Sequence, residues 1–401
     1  MAMEMRKNTM TTPLEELQRR INKLQDVLQE ENIGGALVVQ RADLFYFSGT
    51  GQNAHLFIPA KGDPTLIVKK SLTRAQQESE LENIIPSYGW DDMISLIRQS
   101  LPTSTAIGLE LDVLPANLYL RYQKLFEDYR LVDISQIIRQ VRAIKSDYEI
   151  RQMREAAKIS TSVFNYARKV IKEGLSEVQL AGHLEFHART LGHQGAVRVR
   201  SFNQELYYGH VLSGESSATV SFFDSPTGGS GLNPSFPQGA GTAVIRQNEP
   251  ILIDFVSVLK GYMVDQTRIF CLGELPFHLQ EAYRQSLHII DTLAEIGKPG
   301  VMAGSLFEKA RAMADEVGLA NHFMGYVEKV NFVGHGLGLE LDELPIIAPG
   351  NDMPLEEGMV FALEPKFIFP GEGTVGIEDT FMVGCNRLEK LTAFTDKLQV
   401  L

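Results

Sequence analysis

The chain opens with an amphipathic pattern. Leu14, Leu17, Ile21, Leu24 and Leu28 recur at helical spacing between polar positions, which predicts a helix with one buried stripe. Thr12 is placed to cap it, Pro13 suits its first position and Glu15 completes a capping box. The period then shortens. GGALVVQ (34–40) predicts a buried strand, LFYFSGT (44–50) a second strand and turn, and HLFIPA (55–60) with PTLIVKK (64–70) a strand pair around Lys61-Gly62-Asp63. Helical and strand segments alternate as far as LVDI (131–134), so 12–138 is an α/β unit of domain size.

From 146 onward the order of elements changes. Ser146 and Glu149 form the capping box of a long helix that Gly174 is placed to end, and Ser176 with Gln179 opens another that stops near Gly192. A β-rich stretch follows, with a hairpin carrying Asp254 and Asp265. A helix over about 278–297 comes next, then a helix capped by Ser305 and Glu308 and ended by Gly318, then a hairpin carrying Glu364 and Glu378. Two helices and an acid-bearing hairpin, twice over, predict an internally duplicated α+β domain spanning 146–401, its hairpins meeting at the centre. The halves share this order of elements without visible similarity of sequence.

Composition narrows the function. At 401 residues with 44% hydrophobic and 22% charged positions, the chain is an ordinary globular protein of two or three domains. A net charge of −12 argues against non-specific nucleic-acid binding. No apolar run approaches the ~18 residues of a membrane span, and the first residues lack the apolar core of a secretory signal. Cys271 and Cys385 both lie in apolar runs, where they are expected as reduced core thiols of a cytoplasmic protein.

The chemistry lies in three segments: ILIDFVSVLKGYMVDQTR (251–268), VGHGLGLELDELP (333–345), and GMVFALEPKFIF with GIEDT (358–380). Asp254, Asp265, His335, Glu364 and Glu378 sit there in apolar strand-like surroundings, and four carboxylates and an imidazole are costly to bury unless something pairs them. A two-residue turn at Lys260-Gly261 sets Leu259 opposite Tyr262 and position 254 opposite 267. Asp265 is then a diagonal neighbour of Asp254 on the same face. Glu364 and Glu378 lie on opposite arms of a hairpin around Pro370-Gly371-Glu372-Gly373, directly opposed only if the loop is odd in length or a bulge intervenes. The glycines of GHGLG allow unusual backbone angles and close approach around His335. Two divalent ions ~3.5–4 Å apart would pair these groups, acidify a water and polarise a carbonyl. Oxygen-rich coordination without thiolate favours manganese first, then cobalt, zinc or iron.

The ordered set Asp, Asp, His, Glu, Glu in DFVSVLKGYMVDQTR, GHGLGLELDELP, MVFALEP and GIEDT resembles the pita-bread metallopeptidases, in the branch of prolidase and Xaa-Pro aminopeptidase. IIRQVRAIKSDYEIRQMREAA (137–157) resembles that branch's junction between domains, and ENIGGALVVQRADLFYFSGT (31–50) the start of its creatinase-like amino-terminal domain. The resemblance implies a duplicated pita-bread domain behind a smaller creatinase-like α/β domain. It implies that Asp254 chelates one metal and His335 the other, that Asp265 and Glu378 bridge the two, and that Glu364 binds the second metal and shuttles a proton from the attacking water. It also implies a homodimer that cleaves the bond before proline in short peptides.

Three positions depart from that branch. No histidine stands near Pro237, Asp342 replaces a second histidine after the metal-binding one, and Gly376 replaces an arginine. The stretch 219–241, rich in Gly, Pro and Ser, is longer than in the familiar peptidases and is expected to cover the metal cleft with Phe222, Phe223 and Phe236. His210, Phe236, Asp342 and Lys366 are the candidates for contacting substrate. The departures keep two alternatives open: a metal-dependent lyase or small-molecule amidohydrolase on the same scaffold, and a non-catalytic binding protein.

Overall fold

The computed structural model describes residues 11–401. They form two compact units, one ending at Arg142 and one running from Ala143 to Leu401. The helix Leu14–Glu30 buries Leu17, Ile21, Leu24 and Leu28 completely, while Leu14 is 41% exposed. Thr12 does not cap it. The capping position falls on Pro13, whose side chain has no acceptor, and Thr12 is itself buried.

The amino-terminal unit is built on six strands: β1 (Ile33–Val38), β2 (Ala54–Pro59), β3 (Thr65–Val68), β4 (Ile84–Pro86), β5 (Ala106–Leu109) and β6 (Arg130–Asp133). They form one sheet in the order β4-β3-β2-β1-β5-β6. The β1–β2 and β2–β3 pairs are antiparallel and the others parallel, as helical crossovers require. The expected strand at 44–50 is a helix, Arg41–Ser48. The Gln40 side chain accepts from the Asp43 amide at 2.8 Å, and Gly49, at φ 75°, closes the last turn onto Phe45. Ala42, Asp43, Leu44, Tyr46, Phe47 and Ser48 are all buried, so the helix is enclosed almost all round and its sequence carries no amphipathic stripe.

In the second unit both predicted capping boxes form. Ser146 with Glu149 opens the helix Asp147–Val170, and Ser176 with Gln179 opens Glu177–Thr190. The later pair is Phe277–Ile296 and Ala303–Glu316. Ser305 lies inside the last of these and donates to the Met302 carbonyl instead of capping it. The strands follow as β7 (Gly209–Ser213), β8 (Ile251–Phe255), β9 (Ser257–Leu259), β10 (Tyr262–Val264), β11 (Thr267–Cys271), β12 (Gly334–Gly336), β13 (Glu343–Ile347), β14 (Val360–Leu363), β15 (Lys366–Phe369), β16 (Gly373–Gly376), β17 (Asp379–Val383), β18 (Leu388–Lys390) and β19 (Gln399–Val400).

Two sheets result, β19-β11-β8-β7 and β13-β12-β14-β17-β18, with the β9–β10 and β15–β16 ribbons extending the hairpins. The first helix pair packs its apolar residues on Val211, Ile251 and Ile253 of one sheet. The second pair packs on Ile347, Phe361, Phe367 and Phe381 around the other. This is the predicted duplicated α+β arrangement. Thr267 and Glu378 exchange backbone hydrogen bonds of 3.2 and 3.3 Å and join the two hairpins. Cys271 is buried as expected, but Cys385 is exposed beside a surface turn, and neither forms a disulfide.

Candidate metal centre

The first hairpin has the register read from its turn. Lys260 and Gly261 take positive φ (51° and 89°), Tyr262 pairs with Leu259, and Thr267 pairs with Asp254. Asp254 is the penultimate residue of β8, and the buried Asp265 lies in the break between β10 and β11. The main chain of Asp265 is held across to the second hairpin. Its amide donates to Thr380 Oγ1, and that hydroxyl donates to its carbonyl, both at 2.9 Å.

The second hairpin resolves what the sequence left open. Lys366 pairs with Gly376, and on the other side Leu363 pairs with Asp379. The register is therefore continuous, and Glu364 stands directly opposite Glu378 across a loop of three residues, Pro370 to Glu372. His335, in β12, pairs with Ala362 of β14. Its flanking glycines serve close approach: a Cβ on Gly334 would lie 2.2 Å from the Ala362 carbonyl, and one on Gly336 2.4 Å from Leu344. Neither takes positive φ.

The five side chains converge. His335 Nε2 lies 3.8 Å from both Glu364 Oε1 and Glu378 Oε1. Ligand atoms of Asp265, His335 and Glu378 lie within 4.8 Å of one another, close to the span two ligands of one ion can have at metal–ligand distances of about 2.0–2.2 Å. On the other side of the two glutamates sits Lys366, 1% exposed. Its Nζ donates to Asp254 Oδ2 (3.2 Å), Glu364 Oε2 (2.7 Å) and Glu378 Oε2 (2.9 Å). Glu378 Oε2 also accepts from Thr267 Oγ1 at 2.7 Å. Each glutamate thus turns one oxygen to the imidazole and the other to the ammonium. Donor atoms remain for one divalent ion beside His335. The Lys366 ammonium holds the Oδ2 atom of Asp254 and the Oε2 atoms of the two glutamates.

The electrostatics follow from burial in this cluster. Burial raises the Glu364 carboxyl, Glu378 raises it further while Lys366 opposes, and it titrates at about 7. Burial pushes Glu378 the same way, but Lys366 and His335 outweigh it and hold that carboxyl at about 2. Burial and the neighbouring Glu378 and Asp254 push Asp265 well above the usual carboxylate range. The His335 imidazole, lowered by burial, is lifted to about 9 by Glu378 and Glu364. Burial lowers Lys366, and Asp254, Glu364 and Glu378 more than reverse it, so it is a fixed cation.

The candidate substrate residues separate. His210 is the cross-strand partner of Asp254 and faces the same way. Its Nε2 is buried without a hydrogen-bond partner, and burial lowers its pKa, so it is a neutral imidazole with a free ring nitrogen. Phe223 of the 219–241 stretch lies 6.4 Å from its ring. Phe236 instead packs on Tyr207 and lines a separate pocket of about 310 Å³ with Glu185, Leu232 and Gln238, in which none of the five residues takes part. Asp342 holds main chain: it accepts from the Arg200 and Ser201 amides at 2.7 and 2.9 Å and from Ser201 Oγ at 2.7 Å. Thr267, Thr380 and Arg268 bind the site together and were not foreseen. Sequence alone predicts Lys366 only as a substrate contact; it opens β15, two residues beyond Glu364.

The family model described as Metallopeptidase family M24 matches residues 151–384, and that described as Creatinase/Prolidase N-terminal domain matches 20–144. An Xaa-Pro dipeptidase of Lactobacillus delbrueckii subsp. lactis is 25% identical over 95% of this chain and 98% of its own. Among solved structures, an Xaa-Pro dipeptidase from Bacillus anthracis is 26% identical over 96% of this chain and all of its own, with a TM-score of 0.81. An X-Pro aminopeptidase from Thermotoga maritima is 26% identical over 95% and 99%, with a TM-score of 0.79.

Proposed function

The chain belongs to metallopeptidase family M24, and from that premise we propose that it hydrolyses short peptides of the Xaa-Pro type with a divalent ion held by Asp265, His335 and Glu378. The observation that carries this reading is the convergence of those three ligand groups within 4.8 Å on a base formed by the two hairpins. Such an ion supplies Lewis acidity to the scissile carbonyl. Glu364, whose Oε1 faces His335 at the edge of the proposed ion position, is suited to take a proton from water and return it to the leaving amine. His210 offers its unpartnered Nε2 to the substrate. Manganese or cobalt suits the oxygen-rich donor set. The homodimer and the cytoplasmic location belong to the same reading. No described helix is long and apolar enough to cross a membrane.

The test is release of the first residue from Xaa-Pro di- and tripeptides by protein loaded with manganese or cobalt. No turnover of any such peptide at full metal occupancy refutes it. An amidohydrolase or lyase on the same scaffold is the second reading. It is favoured by the absence of an imidazole at 237 and 342 and of a guanidinium at 376, and turnover of non-peptide amides alone would select it. Sedimentation as a monomer removes the homodimer without touching the chemistry.

A further inference from the structure

We propose that the Lys366 ammonium permanently occupies one of the two cation positions of this centre, so that the protein carries one divalent ion per chain. The inference rests on membership in the metallopeptidase family and goes beyond it, because the four acids and the imidazole by themselves could serve two ions.

The argument is geometric. Glu364 and Glu378 stand opposite each other, and each divides its two oxygens between two positions. One position is bounded by His335 Nε2, the two Oε1 atoms and Asp265. The other is bounded by Asp254 Oδ2 and the two Oε2 atoms, and Lys366 Nζ is already there. An ammonium has three protons, and each of the three acids accepts one.

The lysine cannot readily leave. Its backbone is fixed opposite Gly376 in the β15–β16 pair, and its side chain is 1% exposed. Withdrawing it from the carboxylates strands a buried, unpaired charge, which is strongly unfavourable. Gly376 is part of the same arrangement. A Cβ there would lie 2.7 Å from both the Lys366 Cα and Cγ and from the Pro365 carbonyl, so the lysine stem needs the space that any side chain at 376 would take. The arginine that the prolidase branch leads one to expect at 376 is excluded by this stem together with the Lys366 and Pro365 backbone, and a positive charge reaches the carboxylates from the opposite strand.

The test is metal stoichiometry. Full-length protein is dialysed against manganese, freed of loose ion and analysed by inductively coupled plasma mass spectrometry and by electron paramagnetic resonance. One manganese per chain with an uncoupled signal is expected. Lys366→Met should raise the content to two and produce an exchange-coupled signal from neighbouring ions. Two ions per wild-type chain, or an exchange-coupled wild-type signal, overturns the proposal and leaves the metallopeptidase reading standing. No bound ion at all overturns both. A Lys366→Met protein that still binds one ion also overturns it. If that variant does not fold, the wild-type stoichiometry decides alone.

Discussion

Replacing Arg268 by Met should loosen the junction between the two acid-bearing hairpins. The guanidinium is fully buried and every nitrogen is used. Nε donates to the Thr395 carbonyl (2.8 Å), and Nη1 to the carbonyls of Thr267 (2.9 Å) and Glu378 (2.8 Å), the two residues whose backbones join the hairpins. Nη2 donates to both Asp379 oxygens (2.9 and 3.1 Å), to the Phe394 carbonyl (2.9 Å) and to Asp396 Oδ1 (2.7 Å). Removing one partner of a buried charge pair costs about 3–5 kcal/mol. Asp379 keeps Lys390 at 2.9 Å, Gln266 at 2.7 Å and Thr392 at 2.7 Å, which places the expected loss near the lower end, about 3 kcal/mol. Arg268→Lys keeps the charge without the planar fork and should lose about half as much. Urea unfolding followed by circular dichroism gives the total. Trp90, the single tryptophan, lies in the amino-terminal unit and its fluorescence should move little. Hydrogen exchange at the Thr267 and Glu378 amides reports the junction directly. A loss below about 1 kcal/mol with unchanged exchange at those two amides would refute the view that this network holds the metal centre together.

Four further outcomes are expected. Glu364→Gln should lower peptide turnover about 100- to 10,000-fold if its carboxyl carries the proton, and undiminished turnover removes that role. Asp342→Ala should speed exchange of the Arg200 and Ser201 amides roughly tenfold or more, as loss of a charge-assisted bond requires. A rise in KM with unchanged exchange would instead make Asp342 a substrate contact. Gly376→Ala should destabilise by about 1–3 kcal/mol through overpacking against Lys366, and a neutral effect in urea unfolding would show that the strand pair has slack. His55 is held neutral, its pKa about 3, by burial and by nearby Lys69, with Tyr122 Oη 2.6 Å from Nε2. The unfolded chain takes the proton first, so stability is full above pH 6.5 and falls as pH drops towards 3. Between pH 7.5 and 5.5 wild type should lose about 1.4 kcal/mol more than His55→Gln, read by Trp90 fluorescence in urea, and equal losses would refute the assignment.

Local signals read best where the chemistry of the residue and its position agree. Ser146 with Glu149 and Ser176 with Gln179 are capping boxes in sequence and in structure, because the bonds close within four residues. The Lys260-Gly261 turn set the register of Asp254 against Thr267 for the same reason. The misreadings arose where burial overrode the pattern. Residues 41–48 form a helix buried almost all round, with no one-sided stripe to distinguish it from a strand. Thr12 and Ser305 had the right chemistry for caps, but the helices began one or more residues away from where those side chains could serve.

The sequence by itself therefore determined the ingredients of the centre. Residue type and the two predicted turns placed Asp254 and Asp265 on one hairpin, and Glu364 and Glu378 on another. Only the tertiary structure decided that the hairpins meet at Thr267 and Glu378, 111 residues apart, and that Arg268 locks them there. It also decided that the ammonium of Lys366 ends among three of the acids. Alternation fixes the face on which a side chain lies, but which charges share a buried space depends on how two distant hairpins pack. A buried ammonium must then find its partners there, because no water is left to serve in their place.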